Sequence, residues 1–342
     1  MANIKQRKLG RTEVAVTELG FGGASLGELF ERVSEAQGQE TLQAAWDVGV
    51  RYFDTAPFYG CGKSEHRIGR FLREQQRNEF VLSSKVGRVL RATRDLDSFE
   101  QNMWVGGLPF DAAFDYSYDG IMRSHDDSLQ RLGLNSIDLL SIHDLDYFFH
   151  ATEERVTASM AQLYTSGWRA LDELRSSGQI KAVGAGLNML GMVPRFLDMV
   201  DLDYFIIAMP YTLLDQEALD VEFAKCAEHN VNVVIGSVFA SGILATGPTE
   251  NALYGYAPAS AEILEKTRRI EAVCQRHHTP LPAAALQFPL AHRIVSAVIP
   301  GAHKPEHIHS NIKFFQHPIP DDLWTELKTE GLLREDAPTP EC

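Results

Sequence analysis

The sequence predicts an α/β protein built as a single (β/α)8 barrel, with an N-terminal β-hairpin plug and long βα loops. Three observations carry this. Eight strand–helix units follow one another after an opening hairpin, and strict alternation of that kind implies a parallel sheet. The 342 residues hold no low-complexity linker, and eight units in about 300 residues suit a closed barrel better than an open sheet with a second domain. Apolar residues make up 44% and charged residues 23%, an ordinary globular balance with ample core material. Residues 1–342 therefore read as one domain, ending in a Pro- and charge-rich tail over 335–342 that is expected to fray.

The elements follow in order. Arg7–Leu9 and Val14–Thr17 flank Gly10-Arg11-Thr12 as a hairpin. Strands are expected at Glu18–Gly22, Arg51–Asp54, Phe80–Ser84, Ile137–Ser141, Ile180–Gly184, Tyr204–Ala208, Val231–Ile235 and Ile294–Val298. Apolar periodicity near 3.6 places helices at Glu35–Val48, Ser64–Leu72, Asp119–Leu132, Leu163–Ser176, Leu190–Met199, Ala218–His229, Ala261–Arg276 and Pro305–Ile312. Gly133 and Gly178 stand just past two of these helices, where a left-handed residue closes the last turn. Gly87 to about Ser117 reads as a long loop.

Charge and cysteine usage narrow the function. Lys plus Arg is 32 against 46 Asp plus Glu, a net charge of −14, which argues against general nucleic-acid binding. Met1–Gly10 is polar and no apolar segment follows it, so neither a signal peptide nor a membrane span is expected. Cys61, Cys226, Cys274 and Cys342 are scattered without a CxxC pair; the expectation is a reduced, cytoplasmic protein acting on a small-molecule substrate.

In a parallel barrel the active site lies at the C-terminal ends of the strands. Asp54 ends the second strand and Tyr59 follows in its loop; Lys85 and His143 end the third and fourth. A carboxylate, a phenol, an ammonium and an imidazole are thus aimed at one mouth. A free phenol titrates near 10, too high for an efficient relay at neutral pH. A neighbouring ammonium is expected to lower it, with the carboxylate holding the lysine and the histidine polarising a substrate oxygen. This is acid–base equipment for interconverting a carbonyl and an alcohol. Any one of these residues alone is most simply a rim polar group; four at consecutive strand ends are not.

The sequence resembles the aldo-keto reductases. Asp54, Tyr59, Lys85 and His143 match that family's catalytic tetrad. The flanking runs Gly49-Val50-Arg51-Tyr52-Phe53-Asp54-Thr55-Ala56, Arg131-Leu132-Gly133 and Gly178-Gln179-Ile180-Lys181-Ala182-Val183-Gly184 agree, over nearly the whole chain. The resemblance implies hydride transfer between a substrate carbon and a nicotinamide, with Tyr59 as general acid–base. It also implies a cofactor set of Asn188, Tyr211, Ser237, Gly242, Leu244, Gly301, His307 and Asn311, and no metal. Leu187, Ala208 and Gly236 depart from the family's usual serine, glutamine and aromatic. Two short motifs carry nothing: Gly60-Cys61-Gly62-Lys63-Ser64 has Pro57 where a Walker loop needs glycine, and Gly20-Phe21-Gly22-Gly23 lacks Rossmann spacing.

The segment Ile299–Asn311 resembles the family's 2′-phosphate site, where NADP-preferring members commonly place lysine at the position of Gly301 and arginine at that of His307. Both fixed cations are missing, so NAD is favoured, with NADP as the alternative through Lys304. The cluster His303, His307 and His309 reads as the rim of that site rather than as zinc ligands.

Phe21–Gly27, Tyr116–Asp119, Tyr211–Asp215 and Phe239–Leu244 resemble the branch containing D-threo-aldose 1-dehydrogenase, L-fucose and L-galactose dehydrogenases and pyridoxal 4-dehydrogenase. The implied reaction is oxidation of a cyclic hemiacetal to a lactone. An aldose such as L-fucose stands first and pyridoxal second, with a non-catalytic nucleotide-sensing subunit as the reading from another class. Phe58, Trp104, Tyr147 and Phe148 are the candidate pocket aromatics; Asp144 and Asp146 are candidates for sugar hydroxyls or a protonated pyridine.

Overall fold

The computed structural model describes residues 4–97, 99 and 103–341. Strands β1 (Gln6–Lys8) and β2 (Ala15–Thr17) pair antiparallel as the opening hairpin. β3 (Phe21–Gly22), β4 (Tyr52–Asp54) and β5 (Val81–Val86) begin the barrel. β6 (Arg88–Ala92) and β7 (Phe110–Phe114) form a separate antiparallel ribbon. The barrel resumes with β8 (Leu139–His143), β9 (Ala182–Leu187), β10 (Tyr204–Ala208) and β11 (Asn232–Gly236). A short hairpin, β12 (Leu253–Tyr254) with β13 (Ala257–Pro258), precedes the last barrel strand, β14 (Val295–Val298).

The large sheet runs β3-β4-β5-β8-β9-β10-β11-β14, every pair parallel. Parallel bridges Leu19–Val298 and Gly22–Gly301 join its two edges. The Gly20 and Gly22 amides donate to the carbonyls of Val298 and Pro300 at 2.9 and 3.1 Å. The sheet is therefore closed, and the expected (β/α)8 barrel is the fold.

The hairpin plugs the lower end. Leu9, Val14 and Val16 pack inside the barrel against Tyr52, Leu139, Tyr204, Val234 and Ala297, a core separate from the shell between strands and helices. Above it the Tyr52 hydroxyl and Ser83 Oγ pair at 3.2 Å, and Ser141 pairs with Tyr204 at 2.8 Å. These buried polar groups satisfy one another, so the interior is filled from below and opens only at the top.

The helices start where local chemistry says they should. Ser34, Ser117, Thr152 and Ser260 accept from backbone amides of the first turns of their helices. Gly133, at φ 62°, closes the Tyr118–Leu132 helix. Four features depart from expectation. Within the long loop after β5, Arg88–Ala92 and Phe110–Phe114 pair as the β6–β7 ribbon. The helix expected at Leu163–Ser176 begins at Glu153 and passes through one π-helical turn, Leu163–Gly167. The helices Tyr147–His150, Ile243–Thr246, Leu281–Gln287 and Asp321–Thr329 lie outside the expected elements. The tail expected to fray is pinned: Ala337 is buried, Arg334 pairs with Asp336 at 2.8 Å, and Lys328 donates to the Glu335 carbonyl at 3.0 Å. Cys61, Cys226 and Cys274 are buried free thiols; Cys342 lies outside the described residues. Among the described residues no helix is long and apolar enough to cross a membrane.

Candidate active site

A cavity of about 760 Å³ opens at the C-terminal ends of the strands, and Asp54, Tyr59, Lys85 and His143 all line it. β4, β5 and β8 are neighbours in the sheet, so their last residues converge. Lys85 Nζ lies 2.6 Å from Asp54 Oδ2 and donates to the Thr55 carbonyl at 2.9 Å. Ser83 Oγ donates to Asp54 Oδ1 at 2.7 Å. Both charges are almost fully buried (1% and 2% exposed). The ammonium also sits 4.7 Å from the Tyr59 ring centroid, and the His143 ring stands edge-on to Tyr59 at 5.8 Å.

One expectation fails at this point. Lys85 does not draw the Tyr59 phenol down; burial first, then the Asp54 charge, hold it well above its usual value. The reason is geometric: the ammonium's charge is taken by Asp54, and it meets the phenol at the ring face. Tyr59 thus stands as a protonated O–H donor. Burial, then Lys85 and Arg88, push His143 well below its ordinary value, so its imidazole is neutral.

Of the residues named for the cofactor, Asn188, Ser237, Gly242, Gly301, His307 and Asn311 line the cavity. Tyr211 and Leu244 do not. Tyr211 is fully buried against Phe223 and Phe288, with ring centroids at 4.6 and 5.2 Å, and Leu244 lies in the outer core. Asn188 Nδ2 faces Asp144 Oδ1 at 3.3 Å, and its backbone N–H donates to Asp146 Oδ2 at 2.6 Å.

The cavity fits a nicotinamide dinucleotide on its own shape. Gly186, Ala208 and Gly236, on the adjacent strands β9, β10 and β11, form a floor with no side chain beyond a methyl. A Cβ on Gly186 would stand in van der Waals contact with Lys85 and His143 at 3.6 and 3.7 Å, and one on Gly236 with Ala208 and Ile206 at 3.7 Å, so the glycines keep the floor beside the catalytic side chains flat enough for a planar ring. At the far end His303 Nε2 lies 3.0 Å from Glu31 Oε2, and the His303 and His307 rings meet at 4.5 Å. Burial lowers both histidines. Gly301 faces Ser25, whose Oγ would stand 2.4 Å from an added Cβ.

Of the residues named for the substrate, Phe58, Trp104 and Asp144 line the cavity, whereas Tyr147, Phe148 and Asp146 do not. Asp146 caps a single helical turn, Tyr147–His150, by accepting from the Phe148 amide at 3.0 Å. That turn sends Tyr147 outward to Glu153 and Arg195 and brings Phe149 inward instead. Phe30 and Tyr256 also line the cavity and were not foreseen. Their rings meet at 6.5 Å, and Tyr256 hydrogen-bonds Ser237 at 3.3 Å. Lys63, in the Walker-like run, is engaged by the Gly106 carbonyl and by Glu28 at 3.2 Å.

Residues 18–329 match the family model described as Aldo/keto reductase family. The chain belongs to the aldo-keto reductase family. This aldo-keto reductase is 44% identical to pyridoxal 4-dehydrogenase of Microbacterium luteolum, over 96% of this chain and 98% of that one. It is 38% identical to D-threo-aldose 1-dehydrogenase of a Pseudomonas species, over 96% of each. A holo aldo-keto reductase of Bacillus halodurans superposes with a TM-score of 0.74 at 24% identity, covering 99% of both chains, and shares the fold. The protein is accordingly an oxidoreductase acting on CH–OH groups, with a nicotinamide cofactor.

Proposed function

We propose that this aldo-keto reductase is an NAD-dependent dehydrogenase that oxidises a cyclic hemiacetal to its lactone, with Asp54, Tyr59, Lys85 and His143 as the catalytic residues. The observation that carries the reading is one cavity holding the tetrad, a flat floor beside it and an aromatic wall opposite. When bound, the oxidised nicotinamide supplies the hydride acceptor. Tyr59 first releases its own proton to solvent and, as phenolate, takes the hemiacetal hydroxyl proton; neutral His143 hydrogen-bonds the same oxygen, and the Asp54–Lys85 pair holds the Tyr59 ring in place. Asn188 would hold the carboxamide. Ser237, Gly242, Gly301, His307 and Asn311 would line the rest of the dinucleotide. Gly301 and His307 offer no fixed cation to a 2′-phosphate, which supports NAD over NADP.

The cavity wall favours a heteroaromatic substrate over a polyol. Phe30, Phe58, Trp104, Phe149 and Tyr256 make the wall largely aromatic. A polyol needs several hydrogen-bonding partners there, whereas a flat heteroaromatic ring needs faces to stack on. Pyridoxal, in its hemiacetal form, therefore moves ahead of an aldose. The test is NAD reduction, followed at about 340 nm, with pyridoxal, L-fucose, D-arabinose and L-galactose. We expect pyridoxal to give the highest kcat/KM; sugars turned over with pyridoxal inert would return the aldose reading to first place.

A further inference from the structure

A buried ion pair beside the cavity, Arg88 with Asp144, takes no part in the proton and hydride transfer. Strand β5 delivers Lys85, the chain turns at Gly87 (φ +97°), and β6 begins with Arg88 beside the same cavity. Arg88 Nε and Nη2 both donate to Asp144 Oδ2, at 3.0 and 2.8 Å, and both side chains are 5% exposed. The guanidinium is caged by three rings, 3.9 Å from the Phe58 centroid, 4.0 Å from Phe114 and 4.5 Å from Phe149. A cation over aromatic faces in a desolvated place is held strongly.

Asp144 follows His143 directly and is itself constrained. Its φ is 56°, in the left-handed region a non-glycine residue enters only where its surroundings compel it. Its amide donates to the Gly186 carbonyl at 3.1 Å. While Oδ2 is held by Arg88, Oδ1 faces His143 Nε2 at 3.4 Å and Asn188 Nδ2 at 3.3 Å. One carboxylate thus touches the imidazole and the amide read above as holding the carboxamide.

We propose that Arg88 and Asp144 are a positioning pair for the catalytic histidine. The caged guanidinium fixes the carboxylate. The charge of the carboxylate, 3.4 Å from Nε2, favours the tautomer that carries its proton there and leaves that N–H to the reacting oxygen, while Oδ1 holds the Asn188 amide. This rests on the reading of His143 as the group that hydrogen-bonds the reacting oxygen.

The pair has a pH signature. Burial, and secondarily Asp146, raise the Asp144 carboxyl to about 6, with Arg88 and Lys85 opposing. The other titratable groups around it are His143, which burial keeps neutral, and the phenols of Tyr59, Tyr116 and Tyr256, all held above their usual value by burial. Below about pH 6 Asp144 therefore gains a proton and loses the negative charge that faces Nε2.

The experiment is the pH profile of kcat, from pH 5 to 8, for the wild type, Arg88→Gln, Arg88→Lys and Asp144→Asn, with thermal melts as a folding control. The wild type should show an acidic limb near 6. Arg88→Gln should move that limb to higher pH by roughly a unit or more, and Arg88→Lys by less, because the lysine keeps the charge without the two-pronged contact. The nearly isosteric Asp144→Asn should abolish the limb and lower kcat about 10-fold or more while KM changes less than about 2-fold. A limb unchanged in every folded variant overturns the proposal and leaves the pair a strut between ribbon and barrel. His143→Gln tests the underlying reading separately: unimpaired kcat there removes the role of the histidine itself, whatever the pair does.

Discussion

The two ends of the cavity are built on opposite principles. At the catalytic end every charge is buried and paired: Asp54 with Lys85 at 2.6 Å, Asp144 with Arg88 at 2.8 Å. These residues come from strand ends or their immediate neighbours, so the barrel sets their positions. At the distal end the histidines are neutral, and the charged groups, Lys304 and Glu31, are exposed to solvent. His303 and His307 are depressed by burial, Gly301 carries no side chain, and Glu31, which meets His303, is an exposed loop residue. The first end is preorganised to act on whatever enters; the second discriminates chiefly by the cations it lacks. Changes at the first should therefore abolish turnover or stability, and changes at the second should only reweight a choice.

The largest effect should come from Tyr59→Phe. It removes the one hydroxyl proposed to exchange a proton with substrate, and leaves the ring between Lys85 and His143. A loss of roughly 10²–10⁴-fold in kcat is expected, with NAD binding, followed by quenching of tryptophan fluorescence, essentially unchanged. Normal turnover by this variant would break the contrast at its stronger end, because catalysis would not depend on the proton carrier.

Next is stability. Lys85→Met would leave the Asp54 carboxylate in a site 1% exposed with Ser83 as its remaining side-chain partner. Breaking a buried pair from one side costs about 3–5 kcal/mol, read as a fall in the urea midpoint at unchanged slope. Asp54→Asn combined with Lys85→Met should recover part of that loss, since no uncompensated charge remains. Equal losses in the single and double variants would mean that packing, not charge compensation, carries the pair.

The same contrast decides how much was legible in the sequence. The tetrad could be read because a strand end is a defined address: each residue closes, or shortly follows, an apolar β run. The barrel was legible for the same reason, as a count of alternating runs. The aromatic wall was not. Tyr147 and Phe148 are the aromatics the run suggests, and Phe149 is the one that enters, because nothing in a polar–aromatic run shows which way one capped helical turn rotates it. Tyr256 comes from the short β12–β13 hairpin, at φ 65°, too small to leave a pattern. Arg88 was hidden in what read as a loop, although the glycine before it marks a turn back into the site. Helix Leu281–Gln287 escaped because Leu281, Ala283, Ala284, Ala285 and Leu286 are all buried, and a helix apolar all round has no amphipathic period to detect. Tyr211 was placed at the cofactor by resemblance, yet its ring turns outward to Phe223 and Phe288.

The smallest expected effect belongs to the distal end and sharpens the contrast most. His307→Arg introduces a permanent cation beside Lys304, where the present imidazole is kept neutral by burial and by His303. A charge-assisted hydrogen bond to a 2′-phosphate is worth about 1.5–3 kcal/mol, so the ratio of kcat/KM for NADP over NAD should rise at least about 10-fold. The gain should appear mainly in the KM for NADP, with kcat on NAD nearly constant, since residue 307 lies in the cavity's far wall and not among the catalytic side chains. The neighbouring position offers no such route. A lysine at Gly301 would first have to displace Ser25 Oγ, which stands 2.4 Å from where its Cβ must go. Gly301→Lys alone should therefore gain less than His307→Arg, and Gly301→Lys with Ser25→Gly should gain more than Gly301→Lys. If His307→Arg leaves the ratio unmoved, the phosphate site lies elsewhere, and the distal wall does not discriminate by its missing charges.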